Sequence, residues 1–473
     1  MFRFRLIGPI YVLIFCAALM GCRTGSTLGS QSQNNGNSSV VLAMTDTPPS
    51  TVTVLSAEVT LTGAALMPGN ISLFSGSATV ELTRLQTDIA YLATAANIPA
   101  GTYTGITLTF ANPSLTIEND TASAIGTCAV GSICTMPPTA TANLSTTVPL
   151  TSFTIASSST TGLLIDVNLD NLLTTAMGED FSAGTSVTSF TPAGIGAPPV
   201  GAEDVVGQVG SINAASNTFT LTNATASYTL KVDGTSTFFQ FPTSLCSAGG
   251  FACLQNNQIL SVDIGIQADG SLLARNILFE DADSSDAEVE GIVTGTNAGS
   301  QQISMVALAI SAGGTGVSTG EPVTIQYSVS PQTPFDVDLV HADSSSMSST
   351  GFLFATPADL VVGQQISIRR NSASSGTTIR ADRVRLRSSR ITATVQTIGS
   401  GIIALSSLPS LFFGHGGITL IQAQASIPTI IYQIGRTITI SNIAISNVVS
   451  VRGPLFNVSG GRTLIATKVV LKL

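Results

Sequence analysis

A series of arginines near the C-terminal end has the clearest potential for binding chemistry. Arg383, Arg385 and Arg387 alternate with apolar residues, and Arg390 follows closely. Alternate side chains of a strand share a face, so a strand here would present three guanidinium groups opposite the core. Guanidinium binds phosphate and carboxylate in two-point fashion. The series predicts a surface for polyanions such as lipopolysaccharide phosphates or acidic polysaccharide. The alternatives are a solvated strand face, or an ion-pair surface against the protein's own acidic domains.

Residues 280–290 form the acidic counterpart of this series. Carboxylates are ligands that calcium prefers, and an acidic linker between domains would stiffen on binding it. The segment lacks the glycine turn and the ligand spacing of an EF-hand loop. We therefore predict a solvated linker and no metal site.

Charge is unevenly distributed along the chain. Residues 24–371 contain 26 acidic and five basic residues, whereas residues 372–473 contain one acidic residue and ten basic ones. The overall charge of −9 therefore conceals an acidic body and a basic C-terminal part. Opposite charges of this kind could join molecules head to tail, and salt would dissolve such an association.

Residues suited to catalysis are few. The chain has two histidines: His341 precedes a serine-rich stretch, and His415 lies in a glycine-rich stretch. Neither has a nucleophile or carboxylate at a spacing typical of a catalytic triad. Zinc-protease, nucleophile-elbow and phosphate-loop motifs are missing from fitting contexts. The sequence predicts neither an enzyme nor a cofactor.

Two close cysteine pairs lie in Gly/Ser-rich segments. Cys128 is near Cys134, and Cys246 is near Cys253. We predict that each pair forms a disulfide, which restrains its own loop and requires an oxidising compartment. A zinc site is the alternative, but the cysteine spacing is wrong for it and no histidine is near.

The N-terminal residues predict export and a lipid anchor. Arg3 and Arg5 precede an apolar run, residues 6–18, which leads into Leu-Met-Gly-Cys ending at Cys22. This order is typical of a lipoprotein signal, residues 1–21, with Cys22 as the lipidated first mature residue. The alternative is an ordinary signal anchor with a chance cysteine.

The residues after Cys22 predict a destination and a spacing. Resemblance to bacterial lipoproteins implies the outer membrane, on its periplasmic side or at the cell surface, because Arg23 rather than aspartate follows the cysteine. Residues 22–39 predict a flexible tether. The expected partners are the membrane, through the lipid, and envelope polysaccharide or another envelope protein.

The composition predicts an all-β protein of several domains. Thr, Ser, Val, Ile and Gly are abundant, and apolar residues alternate between Gly, Asn, Ser and Pro turns. We predict a β-sandwich-like domain followed by about three small β-barrel-like units. The predicted ranges are 40–192 for the sandwich and 203–283, 286–388 and 390–473 for the units. Residues 82–95 and 170–177 are the best helix candidates.

The three units are identified by similar ends. Residues 274–279, 381–386 and 466–471 share an alanine, a β-branched residue three positions later and an apolar residue five positions later. In a strand the last two share a face. Each end follows another strand, and the units begin near Gly207, Gly291 and Ala393. Repeats of this kind can lengthen a surface protein without adding chemistry.

Three segments of the first domain carry a family resemblance. Residues 41–48, Val80-Glu81-Leu82 with Leu85, and residues 98–106 resemble the bacterial domain of unknown function 4382. The resemblance implies a β-sandwich-like domain, often lipid-anchored, without an established activity. The sequence departs from the family at Met44, at Thr47 and in an insertion near Cys128.

The first repeat unit resembles another family. Residues 217–221 and 269–274 resemble the bacterial domain of unknown function 5666, which implies a small β-barrel. Small barrels are often compared with oligonucleotide-binding folds, but a fold does not confer an activity. The first unit is acidic, so we expect no nucleic acid there.

The predicted function is therefore that of a lipid-anchored cell-envelope protein of structural or binding type. A polyanion- or glycan-binding module that uses the basic C-terminal part is the alternative. The amino-acid composition argues against the glycan-binding hypothesis, since the chain has no Trp and only six Tyr to stack on sugar rings.

Overall fold

The computed structural model describes residues 38–472 except for 49–51, 137–143, 177, 193–200, 224–225, 242–244, 282–287, 311–315, 338–350, 372, 416, 434–435 and 459–460. The signal, Cys22, most of the tether, His341 and much of the acidic segment lie outside these residues. Within them the fold is nearly all β, as predicted. No helix in this part of the chain combines the length and the apolar character that crossing a membrane requires.

The N-terminal part is a sandwich of two sheets. Its strands are β1 Ser38–Thr47, β2 Thr53–Met67, β3 Ile71–Glu81, β4 Ala90–Ile98, β5 Gly101–Glu118, β6 Ile133–Thr135, β7 Ser145–Ile155, β8 Thr160–Asn168 and β9 Thr185–Phe190. One sheet has the order β4-β1-β8-β9, with β1 and β8 parallel. In the other, β3-β2-β5, both β6 and β7 pair with β5.

Alternating apolar residues build the core between the two sheets. Ile106, Leu108 and Phe110 of β5 are buried together, as the sequence predicts. Strand β1 is apolar on both faces because it contacts two cores. Leu42 lies in the sandwich core, whereas Val41 packs into the core of the first barrel.

The helix predicted over residues 82–95 is wrong. Only Leu82–Gln86 is helical, as a 3-10 turn capped by the Glu81 side chain. The residues after it form β4, because pairing with β1 satisfies their backbone groups within a sheet. The second candidate is helical only over α1, Leu169–Leu172, and a further short helix, α2, spans Phe181–Gly184.

The rest of the chain forms three closed sheets. Barrel 1 comprises β10 Gly201–Asn213, β11 Thr218–Thr222, β12 Ser227–Val232, β13 Phe238–Gln240, β14 Ile259–Ile266 and β15 Leu272–Asp281. Barrel 2 comprises β16 Glu288–Asn297, β17 Gln302–Ile310, β18 Pro322–Gln326, β19 Phe335–Val337, β20 Gln365–Arg370 and β21 Thr378–Leu386. Barrel 3 comprises β22 Ser388–Gly399, β23 Ile402–Ser406, β24 Ile421–Gln433, β25 Arg436–Thr437, β26 Val448–Val458 and β27 Gly461–Leu471. Short helical turns are Gly250–Cys253, Pro357–Asp359, Leu411–His415 and Ile440–Asn442.

The three barrels share one topology. In each, the first strand pairs with the second and the fifth, and the sixth strand closes the barrel by pairing in parallel with the third. Barrel 3 differs in one respect, because β24 is long enough to occupy the positions of both the third and the fourth strand. Its first half pairs with the start of β27 and its second half with the end.

The alanine that marks each repeat has a structural role. Its carbonyl accepts a hydrogen bond from a threonine hydroxyl at the equivalent place in all three barrels. The pairs are Thr237 with Ala274 at 2.6 Å, Thr333 with Ala381 at 3.2 Å, and Thr429 with Ala466 at 2.7 Å. A small residue lets this connection lie against the sixth strand.

A second feature also recurs in the three barrels. Gln258 and Gln364 each lie five residues after the end of a 3-10 turn, and their side-chain carbonyls accept the backbone N–H of the residue three positions earlier. Asn447 does the same in barrel 3. The sequence signal is an aliphatic residue four positions earlier: Leu254, Leu360 and Ile443. These side chains satisfy backbone groups at the entrance to the fifth strand.

Apolar residues also connect the units. The core of barrel 2 includes Phe456 of barrel 3. A small cluster joins Leu55 of the sandwich, Val306 and Val362 of barrel 2, and Leu411 of barrel 3. The units are therefore held together by packing as well as by the chain.

The first strand of each barrel offers a test of this close packing. A Cβ at Gly291 would lie 2.2 Å from the carbonyl oxygen of Val306. Gly291→Ala should therefore lower the free energy of unfolding by about 1–3 kcal/mol, because the backbone of β17 has to move. Ala393 occupies the equivalent position in the first strand of barrel 3, so Ala393→Gly is the matched control and should cost about 0.5–1 kcal/mol. Thermal unfolding measures both, and a fully stable Gly291→Ala would contradict the close packing of Gly291 against β17.

Candidate functional site

The arginine series lies on β21 and the segment that follows it. Val384 and Leu386 are buried in the core of barrel 2. Arg383 and Arg385 occupy the opposite face of the strand, as the alternation predicts, and Arg387 follows where the chain passes to β22. Arg390 is on β22 itself.

These arginines contact carboxylates of the same chain. Arg383 pairs with Asp336 at 2.6 Å, where both side chains are about one-third exposed. Arg385 and Arg387 share Glu280, at 2.5 Å and 3.1 Å respectively. The side chains of Arg387 and Glu280 are each only 8% exposed, so this pair is largely removed from water. Glu280 ends barrel 1, and it therefore links barrel 1 to barrel 2.

Asp88 is the centre of a second cluster, which we call the Asp88 hub. It lies between the 3-10 turn and β4 of the sandwich, and its side chain is 4% exposed. One carboxylate oxygen accepts from Nη2 of Arg390 at 2.8 Å, and the other accepts from Nζ of Lys468 at 3.0 Å. Both cations belong to barrel 3. Sandwich and barrel 3 are thus joined by a buried three-member ion cluster.

The charges of the hub determine its protonation. Burial by itself raises the pKa of Asp88, but Lys468, Arg390 and Arg452 together outweigh burial and hold that pKa below its usual value. The carboxylate is therefore ionised at neutral pH. A neighbouring hydrogen bond from Thr392 to the side-chain carbonyl of Gln86, at 3.1 Å, crosses the same interface.

A third link joins the sandwich to barrel 2. Arg84 of the 3-10 turn pairs with Glu290 of β16 at 2.8 Å. Burial raises the pKa of Glu290, but Arg84 and Arg387 reverse that effect and the pKa is lowered overall. Gln365 also donates a hydrogen bond to this carboxylate.

The end of barrel 3 also contacts the sandwich. Lys472 donates to the backbone carbonyl of Asp46 at 3.4 Å. Burial lowers the pKa of Lys472 and raises that of Asp46, although each charge stabilises the other. Neither carboxylate oxygen of Asp46 has a hydrogen-bond partner in the part of the chain that is described. Asp46 belongs to the opening motif of the first domain, so this motif lies at a contact between units.

Arg385, Arg387, Arg390 and Lys468 thus face inward, toward carboxylates of the acidic body. A polyanion would have to displace Glu280 and Asp88 to reach Arg385, Arg387 and Arg390. Removing one partner from a buried ion pair leaves an uncompensated charge, which costs about 3–5 kcal/mol. The geometry therefore favours the ion-pair surface over an open polyanion surface.

Both predicted disulfides are present. Cys128 and Cys134 are bonded, as are Cys246 and Cys253, with Cα–Cα distances of 5.8 Å and 5.5 Å. The first bond closes a loop of the sandwich next to β6. The second lies at the 3-10 turn of barrel 1.

Of the acidic segment, residues 282–287 lie outside the described residues. The flanking carboxylates Glu280 and Glu290 are engaged in the ion pairs given above. Among the described residues no group of three or more His, Cys, Asp or Glu side chains could hold a metal ion. His415 ends the helical turn Leu411–His415.

Glu179 is a buried acid that sequence reasoning missed. It precedes α2 and is 1% exposed, and its Oε2 atom has no hydrogen-bond partner within the described residues. Burial raises the pKa of Glu179 to about 8. Nothing in the local sequence signals this, because the burial comes from packing around α1 and α2.

Replacing Glu179 by glutamine should stabilise the protein more at neutral than at acidic pH. The unfolded carboxyl ionises near pH 4.5, so keeping it protonated in the fold costs stability as the pH rises from there toward about 8. Each pH unit in that window changes the free energy of unfolding by about 1.4 kcal/mol. The stability advantage of Glu179→Gln over the wild type should therefore grow by about 2 kcal/mol between about pH 5 and pH 7. Thermal unfolding at both pH values measures it, and parallel pH profiles would contradict a buried acid.

Comparison with known proteins finds a match to the first domain. Residues 37–184 match the family model described as Domain of unknown function (DUF4382). No curated protein matches the sequence. Among solved structures, the chain is similar to a multidomain protein with nucleic acid binding domains from Streptococcus pneumoniae TIGR4. That similarity has 10% sequence identity and a TM-score of 0.11, and it covers 57% of this chain and 73% of the other. These comparisons indicate no catalytic family.

Proposed function

We propose that this chain is a lipid-anchored protein of the bacterial cell envelope with a structural role and no catalytic role. The observation that carries the proposal is the set of buried ion pairs that join the sandwich to barrels 2 and 3. Domains connected only by linkers move relative to one another by default. Domains joined by the Asp88 hub, Arg84–Glu290 and shared apolar clusters keep their spacing, which suits a rigid element of the envelope.

The anchor is proposed from the sequence. The residues before Cys22 have the order of a lipoprotein signal, and Arg23 favours the outer membrane. The two disulfides are consistent with an oxidising compartment such as the periplasm. We further propose that the three barrels are related repeats of the type that domain of unknown function 5666 represents. Their common strand order supports this.

The alternative, a polyanion-binding surface on Arg383, Arg385, Arg387 and Arg390, has less support. Three of these side chains are at most 13% exposed, and all four already pair with carboxylates. We therefore expect the full chain to pass through a heparin column at moderate salt. Retention that is lost in Arg383→Gln, with unchanged thermal unfolding, would favour the alternative.

Fractionation of cells tests the anchor. The wild-type protein should fractionate with the outer membrane, and Cys22→Ala should release it or leave an unprocessed precursor. Cys16→Ala is the matched control, because this cysteine lies within the apolar run and is removed with the signal. A Cys22→Ala protein that fractionates like the wild type would overturn the lipid anchor. Digestion of intact cells by external protease then separates display at the surface from a periplasmic location.

A further inference from the structure

A groove opens among the connections of barrel 2. Its volume is 620 Å³, which is within the roughly 300–1,000 Å³ typical of small-molecule sites. The β16–β17 turn, the end of β18, the β18–β19 connection and the β20–β21 connection surround it. Its lining is dominated by amide and hydroxyl side chains, with one guanidinium and one carboxylate.

Several of these side chains are unsatisfied. Within the described part of the chain, the side chains of Gln301, Gln326 and Arg380 make no hydrogen bond or ion pair. Others are held in place: Asn371 donates to Asp382 at 2.6 Å, and Gln332 donates to a backbone carbonyl at 3.3 Å. The groove therefore offers hydrogen-bond donors and acceptors that other described side chains do not occupy.

Comparison with the other barrels shows that two residues of this lining, Tyr327 and Arg380, have apolar counterparts elsewhere. One backbone hydrogen bond, from the end of the third strand to the first turn, recurs in all three. It runs from Val232 to Asn217 at 2.8 Å, from Tyr327 to Gln301 at 3.1 Å and from Ala425 to Gly401 at 2.7 Å. Tyr327 of the groove thus takes the place of Val232 and Ala425.

Arg380 also has apolar counterparts in the other two barrels. Arg380 precedes the repeat alanine, where barrel 1 has Leu273 and barrel 3 has Ile465. Arg380 is exposed at the groove, whereas Leu273 is buried. The shared scaffold therefore carries a tyrosine and a guanidinium at these two positions in one of its three copies.

We propose that the barrel 2 groove binds a hydroxyl-rich, uncharged glycan segment. Free amides offer both donors and acceptors, and guanidinium adds further donors, which suits sugar hydroxyls. The Asp382 carboxylate in the lining balances Arg380, so the groove does not select polyanions. This site is independent of the lipid anchor and of the proposed structural role.

Titration calorimetry of the full chain tests the site. The probes are cello-, chito- and manno-oligosaccharides, with heparin oligosaccharides as the charged comparison. We expect at least one uncharged series to bind, with an affinity that salt does not change. Arg380→Ala and Gln326→Ala should each weaken binding by about tenfold through loss of hydrogen bonds to the sugar.

Lys231→Ala is the matched control, because Lys231 occupies in barrel 1 the position that Gln326 occupies in barrel 2. It should leave the affinity unchanged, and thermal unfolding should show that all variants fold. Failure of every uncharged series to bind would overturn the proposal. Binding that Arg380→Ala and Gln326→Ala leave intact, or binding confined to heparin at low salt, would overturn it as well.

Discussion

Replacing Asp88 by asparagine is expected to lower the free energy of unfolding by about 3–5 kcal/mol. The amide cannot neutralise Arg390 and Lys468, which remain buried at the interface between the sandwich and barrel 3. The two cations then repel each other in a medium that screens them poorly. Thermal and chemical unfolding measure the loss. Asp382→Asn, which changes an exposed carboxylate of barrel 2, is the control and should cost about 0–1 kcal/mol.

A double-mutant cycle keeps this prediction testable if the single variant is too unstable. Adding Lys468→Met to Asp88→Asn removes the excess positive charge and should recover part of the lost stability.

Because the pKa of Asp88 is lowered in the fold, the contribution of Asp88 to the free energy of unfolding is fully present above the pKa of the unfolded carboxyl, which is about 3.9. That contribution is lost as the pH falls through the lower folded value, so the wild-type advantage should persist down to about pH 4. Equal stability of wild type and Asp88→Asn at neutral pH would refute the hub.

Replacing Glu280 by glutamine is expected to have an effect of similar size, about 3–5 kcal/mol. Glu280 pairs with both Arg385 and Arg387, and its side chain is 8% exposed. Its loss removes the buried negative charge that lies between two adjacent guanidinium groups where barrel 1 meets barrel 2. The expected result is a lower unfolding temperature together with faster proteolysis of the folded protein.

Asp336→Asn is the matched control for Glu280→Gln. Asp336 pairs with Arg383 and also approaches Arg385, at 3.5 Å, but its side chain is 35% exposed. Exposed ion pairs contribute about 0–1 kcal/mol, so this variant should be nearly as stable as the wild type. If the two substitutions cost the same, burial would not be what gives Glu280 its importance.

Local sequence patterns predicted the structure correctly wherever residues close in the chain determine it. The alternation around Val384 and Leu386 fixes which face of β21 is polar, because side chains of a strand alternate regardless of the rest of the fold. The repeat alanines and the close cysteine pairs were likewise recognisable, since each depends on spacing within one unit. The same local reasoning was wrong for residues 82–95, where pairing of β4 with β1 outweighed a helix-like pattern.

What the arginines face was decided by the tertiary structure alone. Arg385 lies 105 residues from Glu280, Arg390 lies 302 residues from Asp88, and Lys468 lies 380 residues from Asp88. The sequence by itself determined that an acidic body and a basic C-terminal part exist, because charge is a property of composition. Whether the two bind each other or a foreign polyanion depends on which surfaces the fold removes from water, and only packing of the units against one another determines that.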